Sequence, residues 1–153
     1  MISIWRFSVP KNNNEISTDG LTFLDDGEVL YNDLYLLSET DEKGIVLYAS
    51  DSFLKIANMT NDEIIGQPHN IVRHPEMPRV AFKSLWDDVV AKGFWTGLVK
   101  NIRKDRSFYW VHATALRQVK SDGTVTYLSV RVVPNRQEIE PIIPVYAELK
   151  AQE

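Results

Sequence analysis

Cysteine is missing altogether from this 153-residue chain. That absence excludes disulfides, thiolate metal sites, a cysteine nucleophile and any thiol that could form an adduct. Long hydrophobic runs are missing as well. No stretch approaches the ~18 apolar residues of a membrane span, and the opening MISIWRFSVPKNNN has no small-residue cleavage pattern. The expectation is a soluble, cytoplasmic chain without direct membrane insertion. Catalytic signatures are equally scarce: no paired carboxylates share a face, no nucleophile stands with a base, and no glycine loop cradles phosphate. An enzyme is therefore not expected.

What is present supports one domain with a proper core, since 44% of the residues are hydrophobic and the length is short for two ordinary domains. Net charge is −4 and unevenly spread. Residues 12 to 42 hold nine acids and no base, whereas Arg73 to Arg106 holds eight bases against four acids. A nucleic-acid binder would show a basic surface overall, so that class is disfavoured. The acidic stretch reads as a solvated or partner-facing segment.

The stretch Gly66 to Trp86, GQPHNIVRHPEMPRVAFKSLW, organises the rest. Pro68, Pro75 and Pro78 stiffen the backbone by fixing φ and restricting the residue before each. Such a loop can hold Arg73, a planar fork of donors, and His74, which can donate, accept or titrate. On residue types alone the plainer reading stays open, in which the prolines only start the next helix and Arg73 is a solvated charge.

Around it, Leu34 to Glu39 and Ile45 to Ala49 read as a hairpin with Gly44 as its permissive residue. Ser52 to Asn58 reads as a short helix. Thr60 and Glu63 have the spacing of a capping box. Phe82, Leu85, Trp86, Val89 and Val90 predict a helix over Arg79 to Lys92, stopped by Gly93. Trp95 to Arg103, Ser107 to Gln118 and Thr124 to Val133 are β-rich and meet at turns, a three-stranded meander. Along them Phe108, Trp110, His112 and Thr114 share one face, and Tyr109, Val111, Ala113 and Ala115 the other. Asn101 sits among small and apolar neighbours, where its amide needs a partner. Ile2, Ile4 and Phe7 hint at a strand before a turn-rich segment, so residues 1–33 are expected to form a cap or arm. The tail, 135–153, reads as an amphipathic exit segment kinked by Pro141 and Pro144.

This order of elements is that of a PAS domain: an α+β fold with a five-stranded antiparallel sheet, short helices and one longer helix on one face, here over 34–134. The strings IGQPHNIVRHPEMPRVAFKSLW, GLVKNIRKDRSFYWVHA and YLSVRVVP resemble the flavin-binding PAS domain of the Aer-type energy-taxis receptors. In that family a GQPHNxVRHPDMPxxAF block precedes a tryptophan, followed by WxGxVKNxRKxGxxYWVxA and a YxSxR strand. The resemblance implies non-covalent FAD, with flavin-pocket roles carried onto Arg73, His74, Trp86, Trp95 and Asn101. Glu76 stands where the family usually has aspartate, Asp51 where it often has asparagine, and Arg106 where a glycine usually turns the hairpin. The stretch before Trp95 is also one residue shorter than the family pattern.

The receptors carry membrane helices, a HAMP element and a methyl-accepting domain on one chain. The present chain is similar instead to the stand-alone CetB energy-taxis PAS proteins. That implies a redox sensor signalling energy or oxygen status to a separate membrane-bound transducer with a HAMP domain, and so membrane association through a partner, with a homodimer compatible. Lack of cysteine excludes the cysteinyl–flavin adduct of LOV photoreceptors. The competing readings are a cofactor-free PAS interaction or dimerisation module and a haem-binding PAS sensor using His69, His74 or His112; zinc is disfavoured, since His69 and His74 have no cysteine or obvious third ligand near them.

Overall fold

The computed structural model describes residues 20–32 and 35–153. The strand expected around Ile2 and Ile4 lies outside them, as does Leu34. The described chain begins with a small hairpin, β1 (Thr22–Phe23) and β2 (Val29–Leu30), closed at Asp25-Asp26-Gly27 with Gly27 at φ 92°. The five-stranded antiparallel sheet follows: β3 (Leu36–Thr40), β4 (Val46–Ala49), β5 (Phe94–Ile102), β6 (Phe108–Val119) and β7 (Val125–Val132), in the spatial order β4-β3-β7-β6-β5. The helices are α1 (Asp51–Ala57), α2 (Asn61–Ile64), α3 (Arg79–Lys92) and α4 (Arg136–Ala151), with a 3-10 turn at His69–Val72.

Local chemistry explains the boundaries. Ser50 caps α1 by accepting from the Phe53 amide, and Asn58 ends it in the left-handed region at φ 57°. Thr60 and Glu63 form the reciprocal box that starts α2. Gly93, at φ 86°, ends α3 where its sequence predicts. At the β5–β6 turn Arg106 occupies φ 74°, a conformation that favours glycine, so the departure noted in the sequence is carried as backbone strain.

The alternation of β6 places Tyr109, Val111, Ala113 and Ala115 on the inner face, under α1, α3 and the 3-10 turn. Trp110 and His112 face outward, where α4 lies. Tyr146 of α4 stacks on Trp110 at 6.4 Å and donates to the Leu98 carbonyl at 2.7 Å, and Glu138 meets His112 at 3.1 Å. The tail is one continuous α-helix that includes Pro141 and Pro144, started by a capping box of Asn135 and Glu138. The hairpin β1–β2 straps the start of β6: Phe108 donates to the Gly27 carbonyl, and the Tyr31 hydroxyl donates to Trp110 O at 2.7 Å. Leu21, Leu24, Val29 and Tyr31 are buried by this, so the segment contributes to the core.

Candidate functional site

The loop from Gly66 to Pro78 is pinned at both ends to opposite edges of the sheet. Gly66 donates to Val46 O, Val46 to Gln67 O and His69 to Gly44 O, all at 2.9 Å, which ties its start to edge strand β4. At its other end Arg73 bridges to Asn101 and His74 donates to Lys100 O at 3.2 Å, on edge strand β5. Between these anchors the chain runs through the 3-10 turn His69–Val72 and arches over the inner face of the sheet, with Pro68 stiffening its entry and Pro75 and Pro78 its exit into α3. Beneath the arch lies a cavity of about 230 Å³, partly open to solvent.

Its walls are apolar: Val72 from the arch, Phe82, Leu85 and Val89 from α3, and Val99 from β5. Its floor is kept low by Ala113 and Ala115. The polar groups converge from several elements. Asn101, 3% exposed, enters from β5; Ser129 and Arg131 from β7; Thr40 from β3; His69 and Arg73 from the arch; and Lys43 from the β3–β4 turn. Three cationic side chains line the cavity, and among the described residues no carboxylate does.

Arg131 is the deepest cation. It is buried, with its guanidinium 4.5 Å from the Phe53 ring centre, donating to Ser38 Oγ at 2.8 Å and to His69 Nε2 at 2.6 Å. Burial pulls its pKa down to about 10, as removal from water disfavours the charged form. Ser38 Oγ also lies 3.0 Å from His69 Nε2. That nitrogen is thus an acceptor, which places the proton of neutral His69 on Nδ1. Desolvation, then the neighbouring Arg131, lowers the His69 pKa to about 3, so the ring stays neutral at physiological pH. Arg73 sits over Phe82, its guanidinium carbon 3.7 Å from the ring centre, and its buried Nε has no hydrogen-bond partner. Tyr109 is fully buried beside Asn101, its phenol pushed up to about 12 by burial.

Of the residues singled out in the sequence, the fold brings Arg73, Trp86 and Asn101 to this cavity. Trp86 stands at the rim, half-exposed and edge-on to Tyr127 at 5.1 Å. His74 and Trp95 lie outside the lining. His74 Nδ1 accepts from the Glu76 amide at 3.1 Å and its ring meets Phe108 edge-on, while burial and then Lys100 lower its pKa. Trp95 is buried with its indole folded over Gly97, where an added Cβ would come within 2.5 Å of the ring. Glu76 turns outward to Lys100 at 3.0 Å. Among the lining residues that sequence reasoning left out of the flavin site are Arg131, Lys43 and His69, the last weighed there only as a haem ligand. For Arg131 a signal existed: it alternates in register with Tyr127 and Ser129 along a strand whose inward positions would otherwise read as core.

A family model described as PAS fold matches residues 46–132. The aerotaxis receptor of Escherichia coli strain K12 is 38% identical over 122 residues, covering 80% of this chain and 24% of that protein. The bacterioopsin transcriptional activator of Halobacterium salinarum is 25% identical over 88 residues, covering 58% of this chain and 13% of its own length. The chain thus spans a quarter or less of these relatives. Among solved structures, the PAS domain of a Colwellia psychrerythraea protein superposes with a TM-score of 0.60 at 19% identity, over 65% of this chain and 86% of that one. The light-state LOV domain of the blue-light photoreceptor Aureochrome1 gives 0.59 at 19% identity, over 79% and 90%. At such identities these structures bear on the fold alone.

Proposed function

Because this chain belongs to the PAS fold family, we propose that its inner cavity holds a flavin, FAD by the resemblance of its motifs, and that the protein is a redox sensor whose state a separate taxis transducer reads. The observation that carries this reading is the cavity itself: apolar walls, a buried amide at Asn101, and cations without a carboxylate among the described residues. An electron-accepting ring with a carbonyl-rich edge suits such a lining, and the orphaned Arg73 Nε is a donor still in need of an acceptor. The volume, about 230 Å³, exceeds the ~150 Å³ that accommodates benzene and falls below the ~300 Å³ of smaller drug-sized sites. A ring system would enter while its tail lies along the mouth.

A bound flavin would supply reversible electron transfer at the redox state of its surroundings. The chain's own residues do the rest. Asn101 presents its amide to the ring edge; Val72, Phe82 and Leu85 exclude water; Arg131 holds a positive charge where added electron density would be felt. Its hydrogen bonds run to Ser38 on β3 and to His69 on the arch, so a change in its demand for partners bears on both layers at once. That is a physical link from the cavity to the sheet and to whatever partner contacts it. A haem reading is weaker, because His69 Nε2 is already engaged by Arg131 and Ser38.

The test is the visible spectrum of the purified protein before and after dithionite. A flavin spectrum that bleaches and returns in air supports the sensor; a Soret band, or a protein that stays colourless after reconstitution with FAD, rejects it. Asn101→Ala and Arg73→Ala are expected to lower flavin occupancy at least several-fold with far-UV circular dichroism unchanged.

A further inference from the structure

We propose that Lys43 and Arg73 form a phosphate-reading rim, so that the cavity discriminates among flavins by the phosphates on their tails. The inference rests on the flavin reading and adds to it a selection rule and a residue, Lys43, that the family motifs do not contain.

The three cations of the cavity are not equivalent. Arg131 is committed to Ser38, His69 and the Leu36 carbonyl. Arg73 is placed by its contact with Phe82, its guanidinium carbon 3.7 Å from the ring centre, and its buried Nε has no partner. Lys43 is exposed at the β3–β4 turn and lines the cavity. Its backbone, by contrast, is fixed: the Asp41 carboxylate accepts from the amides of Lys43 and Ile45 at 2.8 and 3.0 Å, and the Gly44 carbonyl accepts from His69 at 2.9 Å. The turn is thereby tied to the arch, with Lys43 carried at the mouth and Asp41 turned to its own backbone. Glu42, next door, is exposed and does not line the cavity.

A ring that fills the interior leaves its phosphate-bearing tail at this mouth. There a planar, half-desolvated guanidinium and a flexible ammonium offer the two kinds of donor that phosphate oxygens accept. Riboflavin, which has the ring and no phosphate, would gain nothing from either.

The experiment titrates the 153-residue apoprotein with riboflavin, FMN and FAD, following flavin fluorescence at low and high salt. The expected result is that FMN and FAD bind about tenfold or more tighter than riboflavin at low salt, and that the gap narrows as salt screens the rim. Lys43→Gln is expected to weaken FMN about threefold, in line with the small worth of one exposed cation, and Lys43→Glu by about tenfold. Riboflavin affinity should stay unchanged in both variants, which reports that fold and ring pocket are intact. Equal affinity of the wild-type protein for all three flavins, or an equal loss of riboflavin and FMN in Lys43→Glu, overturns the rim while leaving the flavin reading standing. Failure of every flavin to bind overturns both.

Discussion

A single neutral imidazole makes the acid stability of this protein predictable. His69 titrates near 6.5 when unfolded, and desolvation with Arg131 beside it lowers the folded value to about 3. Between those values the unfolded chain binds a proton that the folded one refuses. The contribution is therefore fully present above about pH 6.5 and is lost as pH falls toward 3. The limiting slope is about 1.4 kcal/mol per pH unit, reduced here because water reaches the ring through the cavity mouth. Urea titrations of the apoprotein at pH 7 and pH 5 should thus differ by about 1 kcal/mol more in wild type than in His69→Gln. Equal pH dependence in the two proteins would reject the buried, neutral assignment. The sequence shows His69 as one of two histidines in a polar loop. What makes it different from His74, a carboxylate-free contact with an arginine 62 positions away, is a long-range fact that no local pattern contains.

At the scale of elements, local chemistry was readable and cross-chain pairing was not. The stop at Gly93, the capping box at Thr60 and the permissive Gly44 follow from short-range stereochemistry, and each occupies its expected place. The hairpin β1–β2 was hidden because strands of two residues show no period, although Asp25-Asp26-Gly27 marked its turn. The tail prolines suggested a kinked segment, and the spacing of Asn135 and Glu138 was the signal for a capped helix start. Glu28 and Arg136 join these two elements: their side chains meet at 2.6 Å with 3% and 15% exposure, between hairpin and first turn of α4. Arg136 also reaches Glu140 at 3.2 Å, so removing the Glu28 charge leaves it with one partner instead of two, and the cost falls below that of breaking an isolated buried pair. Glu28→Gln should therefore cost about 2–3 kcal/mol in chemical denaturation, and Arg136→Met combined with Glu28→Met far less than the single changes would sum to. A loss under about 0.5 kcal/mol for Glu28→Gln would mean the strap is held by the Tyr31 and Gly27 backbone contacts instead.

Taken as a whole, the molecule is acidic, with net charge −4, yet it concentrates cations around the cavity beneath the arch. Such a site costs stability when its charges lack partners, since buried positive groups have surrendered water for little return. A ligand that supplies acceptors should return that stability to the entire domain, because the arch is fastened to both edge strands and the core beneath it is continuous from Leu21 to Ala115. At FAD concentrations about a hundredfold above the dissociation constant, mass action adds about 2.7 kcal/mol. For a chain of this length that raises the thermal midpoint by roughly 5–10 °C. The shift should appear in one cooperative transition, followed alike by tryptophan fluorescence and far-UV circular dichroism, and should shrink in Asn101→Ala. Two separated transitions, with only one responding to FAD, would show that the arch and the sheet do not unfold as a unit, and the proposed link from cavity to sheet would fall with them.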